Sequence, residues 1–239
     1  MKKVFLIAIC AFSGIVAGHA QQPVAEVDSS KYSAYWWHSK DMYDHLPDTK
    51  NEIIFLGNSI TDGAEWFELF GNPRCHNRGI SADVTEGVLL RLGAITRLNP
   101  SKIFIMIGVN ELSRDMTIDE IVANYRTILE RIRKETPRTK VYVESVLPVN
   151  PATGMALNHT NKTDLIMQLN GRLRELSDEF GHTYIDLFGA MADENNHLPR
   201  SYSIDGLHLS DEGYRVWVEA IKRYVKYTCS KLNNLYFNC

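Results

Sequence analysis

Glu52-Ile53-Ile54-Phe55-Leu56-Gly57, running directly into Asn58-Ser59-Ile60-Thr61-Asp62-Gly63, decides the fold of this chain. Residues 53–56 are apolar at odd and even positions alike. A half-solvated strand alternates apolar and polar side chains, whereas a strand apolar on both faces is covered by helices on each side. Similar runs recur at 102–108, 141–147 and 183–187, with a shorter one at 74–79. Segments of helical period separate them. Asp83-Val84-Thr85-Glu86 and Thr117-Ile118-Asp119-Glu120 both have the spacing of a capping box. The first leads into Val88, Leu89, Leu92 and Ile95, the second into Ile121, Val122, Tyr125, Leu129 and Ile132. Leu165, Ile166, Leu169, Leu173, Leu176 and Phe180 mark another helix, with Gly181 placed to end it. Tyr214, Trp217, Ile221, Tyr224, Val225 and Thr228 mark the last. Before the first strand, Trp36, Trp37, Tyr43 and Leu46 fit one face of a helix, interrupted by Lys40 and Asp41. Strand and helix therefore alternate about five times. That order predicts an α/β fold, a three-layer αβα sandwich around a central, mainly parallel five-stranded sheet. Ligands of such sheets bind beyond the carboxyl ends of the strands.

Composition narrows the function classes. The 239 residues are 44% hydrophobic and 23% charged, the make-up of an ordinary globular protein. A formal net charge of −3 gives no electrostatic footprint for nucleic acid or an anionic membrane surface. Met1-Lys2-Lys3, an apolar run at 4–16 and Ala17-Gly18-His19-Ala20 have the pattern of a secretory signal, residues 1–20, cut before Gln21. The apolar run is short of the ~20 residues a membrane span needs. Export to a periplasmic or extracellular compartment is therefore expected, with residues 21–239 forming one domain. That mature chain keeps Cys75, Cys229 and Cys239. An odd number leaves at least one cysteine unpaired or paired between chains, and Cys229 with Cys239 is the pair close in sequence.

Four loops carry polar residues that packing explains poorly. Ser59 follows the first strand near a helix start, where free backbone N–H groups can stabilise a developing negative charge. As an isolated feature it reads as an N-cap, and it is not the G-x-S-x-G elbow, because residue 61 is Thr. Gly79, in Asn77-Arg78-Gly79-Ile80-Ser81-Ala82-Asp83, lets backbone approach a ligand closely and offers its N–H. Asn110, in Gly108-Val109-Asn110-Glu111, can point a side-chain N–H at an oxyanion or serve as a turn residue. Asp205-Gly206-Leu207-His208 can fold back so that the carboxylate accepts from the imidazole, leaving the other ring nitrogen as a base. There is no His-Glu-x-x-His, no paired Cys-x-x-Cys and no phosphate-cradling glycine loop, so metal, nucleotide and other cofactors are not called for.

Taken in order, these blocks resemble the SGNH subgroup of the GDSL-type esterases and lipases. Gly57-Asn58-Ser59-Ile60 is similar to its first block, Asn77-Arg78-Gly79-Ile80-Ser81 to the second, Gly108-Val109-Asn110-Glu111 to the third and Asp205-Gly206-Leu207-His208 to the last. Two positions depart from the usual pattern: Asn58 stands where Asp is common, and Glu111 follows Asn110 where Asp often does. The resemblance implies a flavodoxin-like SGNH hydrolase fold and a Ser59-His208-Asp205 triad. It also implies an oxyanion hole from the N–H groups of Ser59 and Gly79 and the amide of Asn110, without a metal. The implied substrate is a small-molecule or carbohydrate ester, most simply an O-acetyl sugar. Phospholipid acetylhydrolase, lysophospholipase and thioesterase activities are the enzymatic alternatives. A carbohydrate-binding protein on the same fold, stacking sugars on Trp36, Trp37 or Trp66, is the non-enzymatic one.

Overall fold

The five apolar runs form five strands because only a sheet interior buries side chains on both faces of a chain so short. The computed structural model describes residues 29–226. The chain divides between Tyr32 and Ser33 into two units. Of the first, the described part is one turn of 3-10 helix, Ser29–Lys31. Everything that follows concerns the second. The expected signal at 1–20 and the Cys229–Cys239 pair lie outside the described residues, as does Thr228.

The strands are β1 (Ile53–Gly57), β2 (Cys75–Gly79), β3 (Lys102–Met106), β4 (Lys140–Glu144) and β5 (Thr183–Ile185). Their order across the sheet is β2-β1-β3-β4-β5, and all four pairings are parallel. This is the flavodoxin-like order. β1 neighbours β2 on one side and β3 on the other, so successive connections leave it in opposite directions and open a crevice at its carboxyl end.

The longer helices are α1 (Ala34–His45), α4 (Thr85–Thr96), α6 (Ile118–Glu135), α8 (Thr163–Phe180) and α10 (Asp211–Val225); α2 (Ser59–Asp62), α3 (Trp66–Phe70), α5 (Val109–Ser113), α7 (Leu157–Thr160) and α9 (Leu187–Met191) are each only a turn or so long. α1, α4, α6 and α8 pack in series, and α3, α10 and α9 form a second series. Side chains alternate faces along a strand, and one face carries an aromatic ladder. Phe55 stacks on Trp66 at 4.0 Å and on Phe104 at 5.1 Å, Phe104 stacks on Tyr142 at 4.5 Å, and Trp66 meets Trp217 edge-on at 4.9 Å.

Helix ends mostly follow the expected chemistry. Thr117 and Glu120 make a reciprocal capping box on α6, and Gly181 ends α8 at φ +67°. The box expected at Asp83 does not form: α4 starts at Thr85 with Val84 as an uncapped N-cap. Asp83 is instead fully buried, accepting from Arg91 Nε at 2.8 Å and Trp36 Nε1 at 2.8 Å. Cys75 is buried in β2, where burial pushes its thiol up to about 12 and leaves it inert. Among the described residues no helix is long and apolar enough to cross a membrane.

Candidate active site

The carboxyl end of β1 turns sharply into α2. A Cβ on Gly57 would lie 2.2 Å from Thr61 Oγ1 and 2.5 Å from Met106 O, so only glycine fits there. Asn58, buried, is the N-cap of α2, its Oδ1 accepting from Ile60 N–H at 3.1 Å. The amide thus supplies the acceptor that an Asp would. Ser59 follows as the first helical residue, where N–H groups have no intrahelical partner. Its own N–H has no acceptor among the described residues.

His208 comes from the loop before α10. Its Nε2 lies 3.0 Å from Ser59 Oγ and its Nδ1 lies 2.7 Å from Asp205 Oδ2. The other carboxylate oxygen of Asp205 accepts from the backbone N–H groups of Leu207 (2.9 Å) and His208 (2.8 Å) and from Ser203 Oγ (3.3 Å). Gly206, at φ +83°, makes this fold-back possible, and a Cβ there would stand 2.3 Å from Asn150 O. Partial burial works against the Asp205 charge. The hydrogen bonds from the His208 imidazole and the two backbone N–H groups outweigh it and hold the carboxyl at about 2. With Asp205 ionised, Nδ1 carries the proton and Nε2 is left to accept from Ser59.

Asn110, on α5, faces the same place. Its Nδ2 donates to Asp83 O at 2.9 Å, which leaves one amide N–H uncommitted. Its Oδ1 therefore accepts, and His159 Nε2, at 3.1 Å, is the donor. Burial, then the nearby His208 and Arg114, depress the His159 pKa and favour its neutral form.

Gly79 does not face the site as expected. Its N–H already donates to Asn77 Oδ1 at 2.8 Å and its carbonyl accepts from Tyr43 Oη at 3.0 Å. Glycine is required there because a Cβ would stand 2.2 Å from Asp62 N, where β2 passes under α2. Ala82, held at φ +62°, lines the cavity beside Ser59, and its N–H has no acceptor among the described residues. Of the three tryptophans considered for sugar stacking, Trp36 and Trp66 are each 1% exposed and cannot meet a sugar ring, while Trp37 is half-buried against Trp36.

Ser59, Ala82, Asn110, Arg114, His159 and His208 line one cavity of about 350 Å³. A second, of about 560 Å³, adjoins it across His159, Leu207 and His208 and continues along Gly154, Ala156 and the start of α7 at Leu157. A larger cavity of about 860 Å³ lies at the opposite, amino ends of the strands, between Ser101, Lys102, Thr139 and Lys140. It contains none of these groups. Behind Asn110, Glu111 is fully buried; burial pushes its carboxyl up to about 7 against the bonds from Thr85. Among the described residues no three His, Cys, Asp or Glu side chains converge as a metal site. A serine hydroxyl on an imidazole, backed by a carboxylate and faced by uncommitted N–H groups, has the parts for nucleophilic attack on a carbonyl.

A model of the GDSL-like lipase/acylhydrolase family matches residues 55–216. The alpha2 subunit of platelet-activating factor acetylhydrolase IB from Rattus norvegicus is 24% identical over 173 residues, covering 70% of this chain and 72% of its own. A solved Streptococcus pneumonia protein, provisionally described as a platelet activating factor, superposes with a TM-score of 0.74 at 27% identity over 80% of this chain and 93% of its own. A catalytic mutant of an acetylxylan esterase from Geobacillus stearothermophilus shares the fold at 16% identity and a TM-score of 0.61, over 76% of this chain and 96% of its own.

Proposed function

Since the chain belongs to the GDSL-like lipase/acylhydrolase family, a family of ester hydrolases, we propose that it is an exported serine esterase removing acetyl groups from carbohydrate esters. The observation that carries the serine mechanism is the relay from Ser59 Oγ through His208, 3.0 Å at Nε2 and 2.7 Å at Nδ1, to Asp205. Ser59 Oγ bonds to the ester carbonyl carbon as His208 Nε2 takes the hydroxyl proton. The carbonyl electron pair moves onto oxygen, where the N–H groups of Ser59 and Ala82 and the free N–H of Asn110 stabilise it. Collapse breaks the bond to the alcohol oxygen, which leaves with the proton from His208. Water, deprotonated by His208, then adds to the acyl-serine, the bond to Ser59 Oγ breaks with return of the proton to it, acetate is released and free Ser59 is regenerated.

A short acyl group is supported by the relatives named above, which include an acetylhydrolase subunit and an acetylxylan esterase. The first of these favours a second reading, a phospholipid acetyl ester as substrate. Export rests on residues 1–20.

The test compares hydrolysis of 4-nitrophenyl acetate, butyrate and octanoate by the mature chain and by Ser59→Ala. Turnover steepest on acetate and lost in the variant is expected. Turnover retained in Ser59→Ala overturns the nucleophile, and a preference for octanoate overturns the acetyl assignment.

A further inference from the structure

Arg114 is the one permanently charged side chain lining the cavity that holds Ser59, and no acidic side chain lines it. Its guanidinium makes a single hydrogen bond, Nη2 to Ala82 O at 3.0 Å, and no carboxylate lies within ion-pair distance of it among the described residues. The neighbouring Asp115 is already bound to Lys162 at 2.7 Å. Four of the five guanidinium N–H donors thus remain for solvent or a ligand. The cation is felt inside the site, since it contributes to the depressed pKa of His159. Arg114 bonds Ala82 O, and both residues line the same cavity as Ser59 and His208, so the guanidinium belongs to the space where the ester must sit.

In the esterase reading the acetyl carbonyl oxygen is taken by the N–H donors around Ser59, and the acetyl methyl offers a guanidinium no acceptor. The alcohol part of the ester does, if it bears an anionic oxygen group that can accept two parallel N–H bonds. Resting on the esterase reading above, we propose that Arg114 determines specificity by binding an anionic group, carboxylate or phosphate, on the alcohol portion of the substrate. The substrate class narrows accordingly to acetyl esters of acidic sugars or of phosphate-bearing alcohols. A neutral sugar acetate lacks the group that Arg114 holds.

The experiment uses three aryl acetates of the same skeleton: 3-acetoxybenzoate, 3-acetoxyphenyl phosphate and the neutral 3-acetoxybenzamide. At low ionic strength the intact chain is expected to favour at least one anionic ester over the amide by about tenfold or more in kcat/KM. Arg114→Gln should bring that ratio close to one, and Arg114→Lys should retain part of it. The ratio isolates recognition, because a purely structural role through Ala82 lowers all three rates together. Whichever anion is favoured names the group. Equal rates on all three esters in the intact chain, or a ratio unchanged in Arg114→Gln, overturns the assignment. If the intact chain hydrolyses none of them, the esterase reading fails separately. Calorimetric binding of 3-acetoxybenzoate, 3-acetoxyphenyl phosphate and 3-acetoxybenzamide to Ser59→Ala then still decides the role of Arg114. Preference for an anion supports it and equal affinity overturns it.

Discussion

Replacing Asp205 by Asn separates the shape of the proposed Ser59-His208-Asp205 triad from its charge. The two side chains are isosteric, and the structure dictates which way the amide must lie. Oδ1 accepts from the backbone N–H groups of Leu207 at 2.9 Å and His208 at 2.8 Å, so the new carbonyl oxygen has to stay there. The NH2 group is then driven against His208 Nδ1, which in the wild type lies 2.7 Å from Oδ2. Two donors cannot face each other, so the imidazole switches tautomer and places its proton on Nε2. That nitrogen can no longer accept from Ser59 Oγ at 3.0 Å. A base locked in the wrong tautomer typically loses about 10⁴ in kcat, a barrier increase of about 5 kcal/mol. The fold should be undisturbed, because both backbone bonds survive. Initial rates on 4-nitrophenyl acetate, with circular dichroism and thermal unfolding as controls, measure this. A folded Asp205→Asn variant within tenfold of wild-type kcat would refute the tautomer argument. The carboxyl, held at about 2, should contribute no inflection to the rate between pH 4 and 9.

Asn110→Ala is expected to lower kcat by about 10²–10³ with little change in KM, because the lost N–H acts on the oxyanion; a purely KM effect on the acetate ester would contradict it. His159→Ala should reduce kcat by about tenfold, since the amide it orients is freed to rotate, and His159→Gln, which keeps a donor, should recover part of the loss in the same assay. Burial pushes the Glu144 carboxyl up to about 8, offset only in part by the bond from Trp217 Nε1 at 2.9 Å. The folded state therefore binds this proton more tightly than the unfolded chain, and the stabilisation, complete below pH 4.5, is lost as pH rises towards 8. Urea unfolding of Glu144→Gln should show a flatter pH profile, diverging from wild type by on the order of 4 kcal/mol at pH 8; parallel profiles would show that this carboxyl is not the source.

The sheet was legible because burial on both faces leaves a continuous apolar run, and β1, β3 and β4 are buried almost throughout. Ser59, Asn110, Asp205 and His208 were legible for a related reason: polar residues next to such runs sit at strand ends or before the last helix. Gly79 lies away from the cavity for a local reason. It is suited to close approach, and it does make one, but to the backbone of Asp62 beneath α2. The residue of this loop that lines the cavity in a left-handed conformation is Ala82, whose type carries no signal for that conformation. His159 was equally silent. It lies on a four-residue helix with no periodicity to read, and only the fold brings it 49 positions back to Asn110.

Asp83 shows why supporting contacts resist a sequence reading more than the reacting groups do. Its spacing to Glu86 fits a cap, yet its side-chain partners are Arg91, two turns into α4, and Trp36, 47 residues away. Arg91, 1% exposed, bonds Asp83 Oδ2 at 2.8 Å, Arg78 O at 2.8 Å and Gly57 O at 3.1 Å. One guanidinium thus ties the carboxyl ends of β1 and β2 to residue 83, whose carbonyl in turn holds Asn110 Nδ2. A buried ion pair adds little net stability over apolar groups of the same volume, because desolvation offsets the attraction. What it supplies here is position. Gly57 precedes the Asn58-Ser59 turn, Arg78 leads into the loop that carries Ala82, and Asp83 fixes the amide of Asn110. The same buried pair therefore sets the spacing of Ser59, Ala82 and Asn110, which all line the cavity.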